Sequence, residues 1–379
     1  MKRFGDEEIK AVTEVLRSER LSGFYKNFLG GEKVQEYEEA FARYHNVRFA
    51  VSTSSGTSAL HTALLALGVR RGNLAIVPPL TFVSTVTSVL MCGAKPIFCD
   101  INPQTYNLDP SLYDGPRDVK VILPVHLLGT PCNMKAVLDL AEDLGAYVLE
   151  DCAQAIGAKY NEKLVGTFGD MAIFSTVHTK VISTGEGGMV LTDNDELASR
   201  CRQIRNHGEY YGQGKVGWTP NLLGCNYRIT EIQAAIGIEQ LKKLDFFLKL
   251  QKENANWIVE NLPEGITPPY IPREAEPIYY IIGCLYDEHK VGKTRDEVIK
   301  ALTDKGVNKN VAGNTVSKGY TQPLYKLPIF QKYARSCPNA EELCQKSFWL
   351  DIHRWCSLDE VKEKMQAIRE VTKRVVQLP

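Results

Sequence analysis

Hydrophobic and polar positions recur along this chain with two periods, and the switches between them lay out its elements. Ile9, Val12, Val15 and Leu16 return at helical spacing, and a second helical pattern covers VQEYEEAFARYH, with the turn-rich SGFYKNFLGGEK between the two. From FAVST onward short apolar runs take over: LAIVPP, PIFCDI, VKVILPVHL, AYVLED, MAIFST and GGMVLT. Helical stretches such as SALHTALLALG, TFVSTVTSVLMCG and NMKAVLDLAEDLG separate the first of them. Strands apolar on both faces that alternate with helices predict a mostly parallel sheet with helices packed on its two sides. Beyond about residue 244 the rhythm changes. YYIIGCLYD, TRDEVIKALTDKGV and a final amphipathic SLDEVKEKMQAIREVTKRVV predict a smaller α+β domain. The expected division is 1–244 for a large α/β domain carrying the N-terminal helical segment, and 245–379 for the small domain, since 379 residues exceed what one core usually supports.

Composition narrows the function without naming it. Forty-five Lys and Arg balance 45 Asp and Glu, which leaves no electrostatic pull toward nucleic acid or an anionic membrane, so neither partner is expected. No window approaches ~18 uninterrupted apolar residues and the N-terminal stretch lacks the apolar centre of a secretion signal, which predicts a cytoplasmic protein. The ten cysteines are scattered, with no C-x-x-C pair and no His/Cys cluster at zinc spacing. Free thiols and no metal site are the expectation.

Ligands in such sheets lie at the carboxyl ends of the strands. Asp100, His126, Asp151 and the loop carrying Phe82 all fall at such ends. After Asp151 comes a lysine, Lys180, 29 residues on, set between MAIFST and GGMVLT and followed by TGEGG. A carboxylate to pair with a pyridinium nitrogen and a lysine to form a Schiff base are what pyridoxal phosphate (PLP) chemistry asks of a protein. Each has an ordinary reading as well: an Asp after a strand caps a helix, and a Lys in a Ser/Thr-rich segment is solvated. The turn SSGT opens a helix, where Gly56 and Thr57 would approach a phosphate most closely, or it is simply an N-cap. Phe82 either packs in the core or stacks on a planar cofactor. His178 reads as a local polar contact. Neither G-x-x-x-x-G-K-[ST] nor an early G-x-G-x-x-G is present, which removes the main signatures of nucleotide hydrolysis and dinucleotide binding.

Several ordered motifs then span nearly the whole chain: SSGTSAL (54–60), PPLTFVST (78–85), PVHLLG (124–129), EDCAQAIGA (150–158), FS-x4-K-x3-TGEGGMV (174–190), RNHG (205–208) and GCNYRITEIQAAIGIEQL (224–241). In these the chain resembles the DegT/StrS family of PLP-dependent aminotransferases, fold type I enzymes that mostly aminate nucleotide-linked keto sugars. The resemblance implies a seven-stranded, mostly parallel sheet flanked by helices, PLP as cofactor and Lys180 as its Schiff-base lysine and catalytic residue. It implies that Asp151 pairs with the pyridine nitrogen, Gln154 contacts the ring hydroxyl, Phe82 stacks on the ring, and Gly56, Thr57 and Ser175 hold the phosphate. Asn226 matches a position that reaches the phosphate of the neighbouring subunit's cofactor, which implies a homodimer with composite sites. Glutamate is the implied amino donor. The implied acceptor is a nucleotide-linked 4-keto-6-deoxy sugar, with a 3-keto sugar or keto-cyclitol as the alternative, because FWLDIHRWCS departs from the Leu-Pro-containing turn common in the sugar enzymes. Two rival classes remain: a PLP-dependent sugar dehydratase, which uses histidine where Lys180 stands, and a non-catalytic regulatory member, against which the intact set of site residues argues.

Overall fold

The computed structural model describes residues 2–24, 29–209, 220, 222–307 and 315–373. Residues 25–28 of the predicted linker and 374–376 of the predicted last helix lie outside the described residues. Two helices, α1 (Asp6–Ser18) and α2 (Glu32–His45), precede β1 (Phe49–Thr53). Alternation follows: α3 (Gly56–Ala66), β2 (Leu74–Val77), α4 (Ser84–Met91), β3 (Lys95–Phe98), β4 (Val121–Ile122), α5 (Met134–Leu144), β5 (Tyr147–Asp151), a small hairpin of β6 (Lys159–Tyr160) and β7 (Lys163–Leu164), then β8 (Met171–Ser175), β9 (Gly188–Thr192), α6 (Asp195–Arg205) and α7 (Glu231–Lys242).

Seven of these strands form one sheet in the order β1-β9-β8-β5-β4-β2-β3. Only β9 runs against its neighbours; the β5–β8, β4–β5, β2–β4 and β2–β3 pairs are parallel. The period of two along each strand sends side chains to two cores. Ile76, Ile122, Val148, Ala172 and Phe174 join residues of α2, α5 and α7, while Ala75, Val77, Val121, Leu149 and Ile173 join those of α3, α4 and α6. The predicted run VKVILPVHL supplies only the two-residue β4, because Pro124 has no N–H to donate to a ladder. The reversal at β9 decides where the site lies. A chain leaving β8 at its carboxyl end turns straight back into the pair Ser175↔Gly188, and that turn is the Lys180 loop.

The remaining elements are α8 (Leu244–Glu260), β10 (Ile266–Thr267), β11 (Ala275–Glu276), which pairs with β6, β12 (Ile282–Tyr286), α9 (Glu288–Val291), α10 (Arg295–Asp304), β13 (Val316–Ser317), α11 (Pro338–Lys346), β14 (Ser347–Leu350) and α12 (Leu358–Thr372). A second sheet, β10-β12-β14-β13, buries Ile282, Cys284, Phe348 and Leu350 against Val298, Leu302 and Met365 of α10 and α12. Asp100, at the end of the β3 segment, accepts the N–H groups of Asn339 (2.9 Å) and Ala340 (3.1 Å) and so caps α11 across to the large sheet. Its place at a strand end is therefore explained by packing. No helix among the described residues is long and apolar enough to cross a membrane, and all ten cysteines are free thiols.

Candidate active site

At the carboxyl ends of β5 and β8 a cavity of about 370 Å³ opens. Seven of the eight residues expected from sequence line it: Gly56, Thr57, Phe82, Asp151, Gln154, Ser175 and Lys180. Asp151 ends β5 with its side chain buried. Its Oδ2 accepts from the Thr85 hydroxyl at 2.8 Å and its Oδ1 from the Ala153 N–H at 3.1 Å. Burial pushes its pKa up, against the pull of those two hydrogen bonds and of the Lys180 charge. Among the described residues no cation lies within salt-bridge distance of this carboxylate, so a protonated ring nitrogen brought into the cavity would supply the missing counter-charge.

The opposite end of the cavity suits an anion. Ser55 caps α3 with its own side chain, accepting from Ser58 N–H, which leaves the first-turn N–H groups of Gly56 and Thr57 at the positive end of the helix. A Cβ on Gly56 would stand 2.9 Å from Cβ of Ser175, so glycine is what lets the start of α3 lie against the end of β8. Between the two ends, Phe82 keeps 59% of its surface exposed on the cavity wall, which favours the stacking reading over core packing. Gln154 gives its Oε1 to the Leu128 N–H at 2.8 Å, which leaves its amide NH2 as a donor. These residues fit a flat, phosphorylated, cationic ring.

Lys180 is half-buried, and its Nζ donates to the Tyr280 hydroxyl at 3.4 Å while lying 4.5 Å from the centre of that ring. Burial alone would raise the Tyr280 pKa, but the charges of Lys180 and Arg354 and a hydrogen bond with Thr179 outweigh it, so the net shift is downward. Tyr280, Tyr320, Trp349, Ser84 and Thr85 also line the cavity, and sequence reasoning assigned none of them. Thr85 and Ser84 lie within PPLTFVST and were within reach of the motif; Tyr280, Tyr320 and Trp349 come from segments beyond residue 244 and carry no local signature.

Other sequence candidates fall elsewhere. His126 is fully buried, its Nδ1 accepting from the Cys132 N–H (3.0 Å) and its Nε2 donating to Glu150 (3.1 Å), whose carboxylate also accepts three backbone N–H groups from Gly166, Phe168 and Gly169. Both ring nitrogens of His126 and both oxygens of Glu150 are thus engaged by protein partners, beside the buried Cys152 thiol. His178 is exposed. Asn226 is exposed and lies outside the cavity, in a bridge with Asn206 that Arg228 steadies by donating to the Asn206 side chain at 2.8 Å. His353, in the divergent FWLDIHRWCS, turns inward and donates Nε2 to the Tyr279 carbonyl at 2.6 Å.

Fold and site together define a fold type I, PLP-dependent aminotransferase. The profile of the DegT/DnrJ/EryC1/StrS aminotransferase family matches residues 2–369, and the chain belongs to that family. It is 36% identical to GDP-perosamine synthase of Caulobacter vibrioides over 83% of each chain, and 34% identical to the spore coat polysaccharide biosynthesis protein SpsC of Bacillus subtilis over 97% of this chain and 95% of that one. Among solved structures, S. venezuelae DesV superposes with a TM-score of 0.86 at 29% identity, covering 98% of this chain and 95% of DesV.

Proposed function

We propose that the chain moves an amino group from glutamate to a keto sugar, most specifically a nucleotide-linked 4-keto-6-deoxy sugar. The observation that carries the reading is the convergence of Asp151, Lys180 and the α3 amino end in one cavity. In this assignment Asp151 holds the ring nitrogen, Gln154 donates to the ring hydroxyl, Phe82 stacks on the ring, and Gly56, Thr57 and Ser175 hold the phosphate. PLP, when bound, supplies an aldehyde that exchanges between amines and a ring that withdraws electrons from the adjoining carbon. The chain's own part is to hold and move protons. The Lys180 amine takes a proton from the donor's Cα and returns it on the acceptor side, and the buried Asp151 carboxylate keeps the ring nitrogen charged. The same reading takes 1–244 as the cofactor-binding domain and 245–379 as the small domain.

GDP-perosamine synthase, by its name, makes an amino sugar carried on a nucleotide, which supports a nucleotide-linked sugar acceptor. A 3-keto sugar or keto-cyclitol is the second reading, favoured by the departure at residues 348–357. A screen of the three acceptor types with glutamate, following 2-oxoglutarate release, separates them. Lys180→Ala is expected to reduce turnover to background; turnover retained in that variant would falsify the assignment.

The exposed Asn226 supports a homodimer in which it completes the partner's site. Mixing Lys180→Ala with Asn226→Ala protomers tests this. Cross-subunit action predicts hybrids with one intact site and regained activity, and a mixture no better than its parents speaks against it.

A further inference from the structure

The turn at residues 351–357, within the stretch 348–357 that departs from the family pattern, folds onto the loop of the reacting lysine. Arg354 donates its Nη1 to the Thr179 carbonyl while its Nε and Nη2 hold Asp351, the former at 2.6 Å. From the other end of the sequence, Arg3 donates Nη1 to the His178 carbonyl at 2.5 Å and Nη2 to the Lys180 carbonyl. Three successive carbonyls, 178 to 180, are thus gripped by two guanidinium groups from distant parts of the chain.

Two further observations show that the grip is built. Both arginines lie against the Trp355 ring, Arg3 at 4.3 Å and Arg354 at 4.8 Å, which offsets the cost of holding two cations near each other. Trp355 adopts a φ of 55°, a conformation that a bulky residue takes only when its surroundings enforce it. The buried Gln240 then ties both sides together. Its Nε2 donates to the Arg3 carbonyl at 3.1 Å and its Oε1 accepts from the Ser183 N–H at 3.3 Å, farther along the same loop.

We propose that Arg3 and Arg354, steadied by Trp355, are positioning residues that fix the backbone under Lys180 and so aim its amine. The proposal rests on Lys180 being the reacting amine. A lysine has a long, flexible stem, so its reach is reproducible only if its Cα is, and displacement by about 1 Å costs up to ~100-fold in rate.

The test uses the holoenzyme and the Arg3→Ala and Arg3→Lys variants, with three readouts: kcat and KM, the pH midpoint of the cofactor's visible absorption band, and amide hydrogen exchange resolved by peptide. Arg3→Ala is expected to lower kcat by about tenfold with KM within about threefold, since aim and not binding is lost. It should shift the band midpoint and speed exchange in the peptide spanning 176–184 alone. Arg3→Lys, which keeps one donor, should recover most of each change. Unchanged kcat and exchange in Arg3→Ala overturn the proposal, as does faster exchange throughout the chain, which would mark a general structural role. Lys180→Ala run alongside separates the two failures: full turnover there removes the reading on which the clamp rests, whereas an inactive Lys180→Ala beside an unaffected Arg3→Ala removes the clamp alone.

Discussion

Two walls meet at Lys180, and they are built on different principles. One is the sheet edge, where Asp151, Ser175 and the α3 turn sit at strand ends and helix starts, each placed by its own few neighbours in sequence. The other has Tyr280 on the cavity and, beside it, Arg3, Asp351, Arg354 and Trp355, side chains that meet only because distant segments fold together. The first wall uses backbone donors and one buried charge; the second uses guanidinium groups laid against rings and a charge pair. A cofactor shared by a family can be held by the first kind of wall, because the geometry of strand ends varies little. On the proposal above, aim falls to the second, which is built outside the sheet.

The largest effect expected from breaking this contrast lies in the second wall. Arg354→Ala leaves Asp351 without its guanidinium, and loss of one partner of a buried pair costs about 3–5 kcal/mol, so a lower urea midpoint is expected. Replacing both residues by Leu and Met removes the charges together and should restore most of that stability while leaving the rate impaired. Equal destabilisation in the single and double variants would show that the pair's charge is not the cause.

In the first wall, Asp151→Asn keeps the shape and the Thr85 contact but removes the charge. A fall in kcat of about 10²–10³ with an intact melting temperature is expected, the scale of losing one aimed electrostatic partner. Beneath that wall, His45 lies in the core with Phe41 and Phe174 rings each 4.7 Å away, and burial pushes its pKa down to about 4. The folded chain therefore binds fewer protons than the unfolded chain between about pH 6.5 and 4. The stability gained by keeping this ring neutral is whole above about pH 6.5 and is lost as pH falls toward 4, roughly 3 kcal/mol at the limit. In His45→Phe the unfolding midpoints at pH 7 and pH 5 should lie closer together than in the unaltered chain; an unchanged gap would assign the acid sensitivity to other groups, such as His353, which burial also lowers to about 4.

The smallest effect sits where the walls touch. Tyr280→Phe removes the hydroxyl at 3.4 Å from the Lys180 amine but keeps the ring, and kcat is expected to fall about tenfold with cofactor affinity unchanged. A loss of affinity to match would move Tyr280 from handling the amine to shaping the pocket.

What could be read from sequence follows the same division. The alternation of apolar runs gave the parallel sheet, and the strand-end rule with the SSGT turn pointed to Gly56, Thr57 and Asp151, because local rules govern these places, whereas Ser175 came from the family resemblance. Asp100 and His126 satisfied the same rule and proved to be a helix cap and a buried hydrogen-bond hub, since a strand-end position says nothing of which way a side chain turns. Tyr280 and Arg354 were illegible: each looks like an ordinary residue of a mixed segment, and only tertiary packing brings them to Lys180. The departure at FWLDIHRWCS was visible as a departure, but its meaning needed the fold.

The reversal of β9 carries one more consequence. Ser175 and Gly188 are locked opposite each other, and the apolar side chains of both strands all face a core, so neither strand can slip by a residue without turning them the wrong way. The connection between them therefore acts as a ruler: an added or deleted residue has nowhere to go except into the loop itself. The reach of Lys180 is set by a count of positions as well as by their chemistry, a quantity that substitutions leave untouched and a single insertion would change.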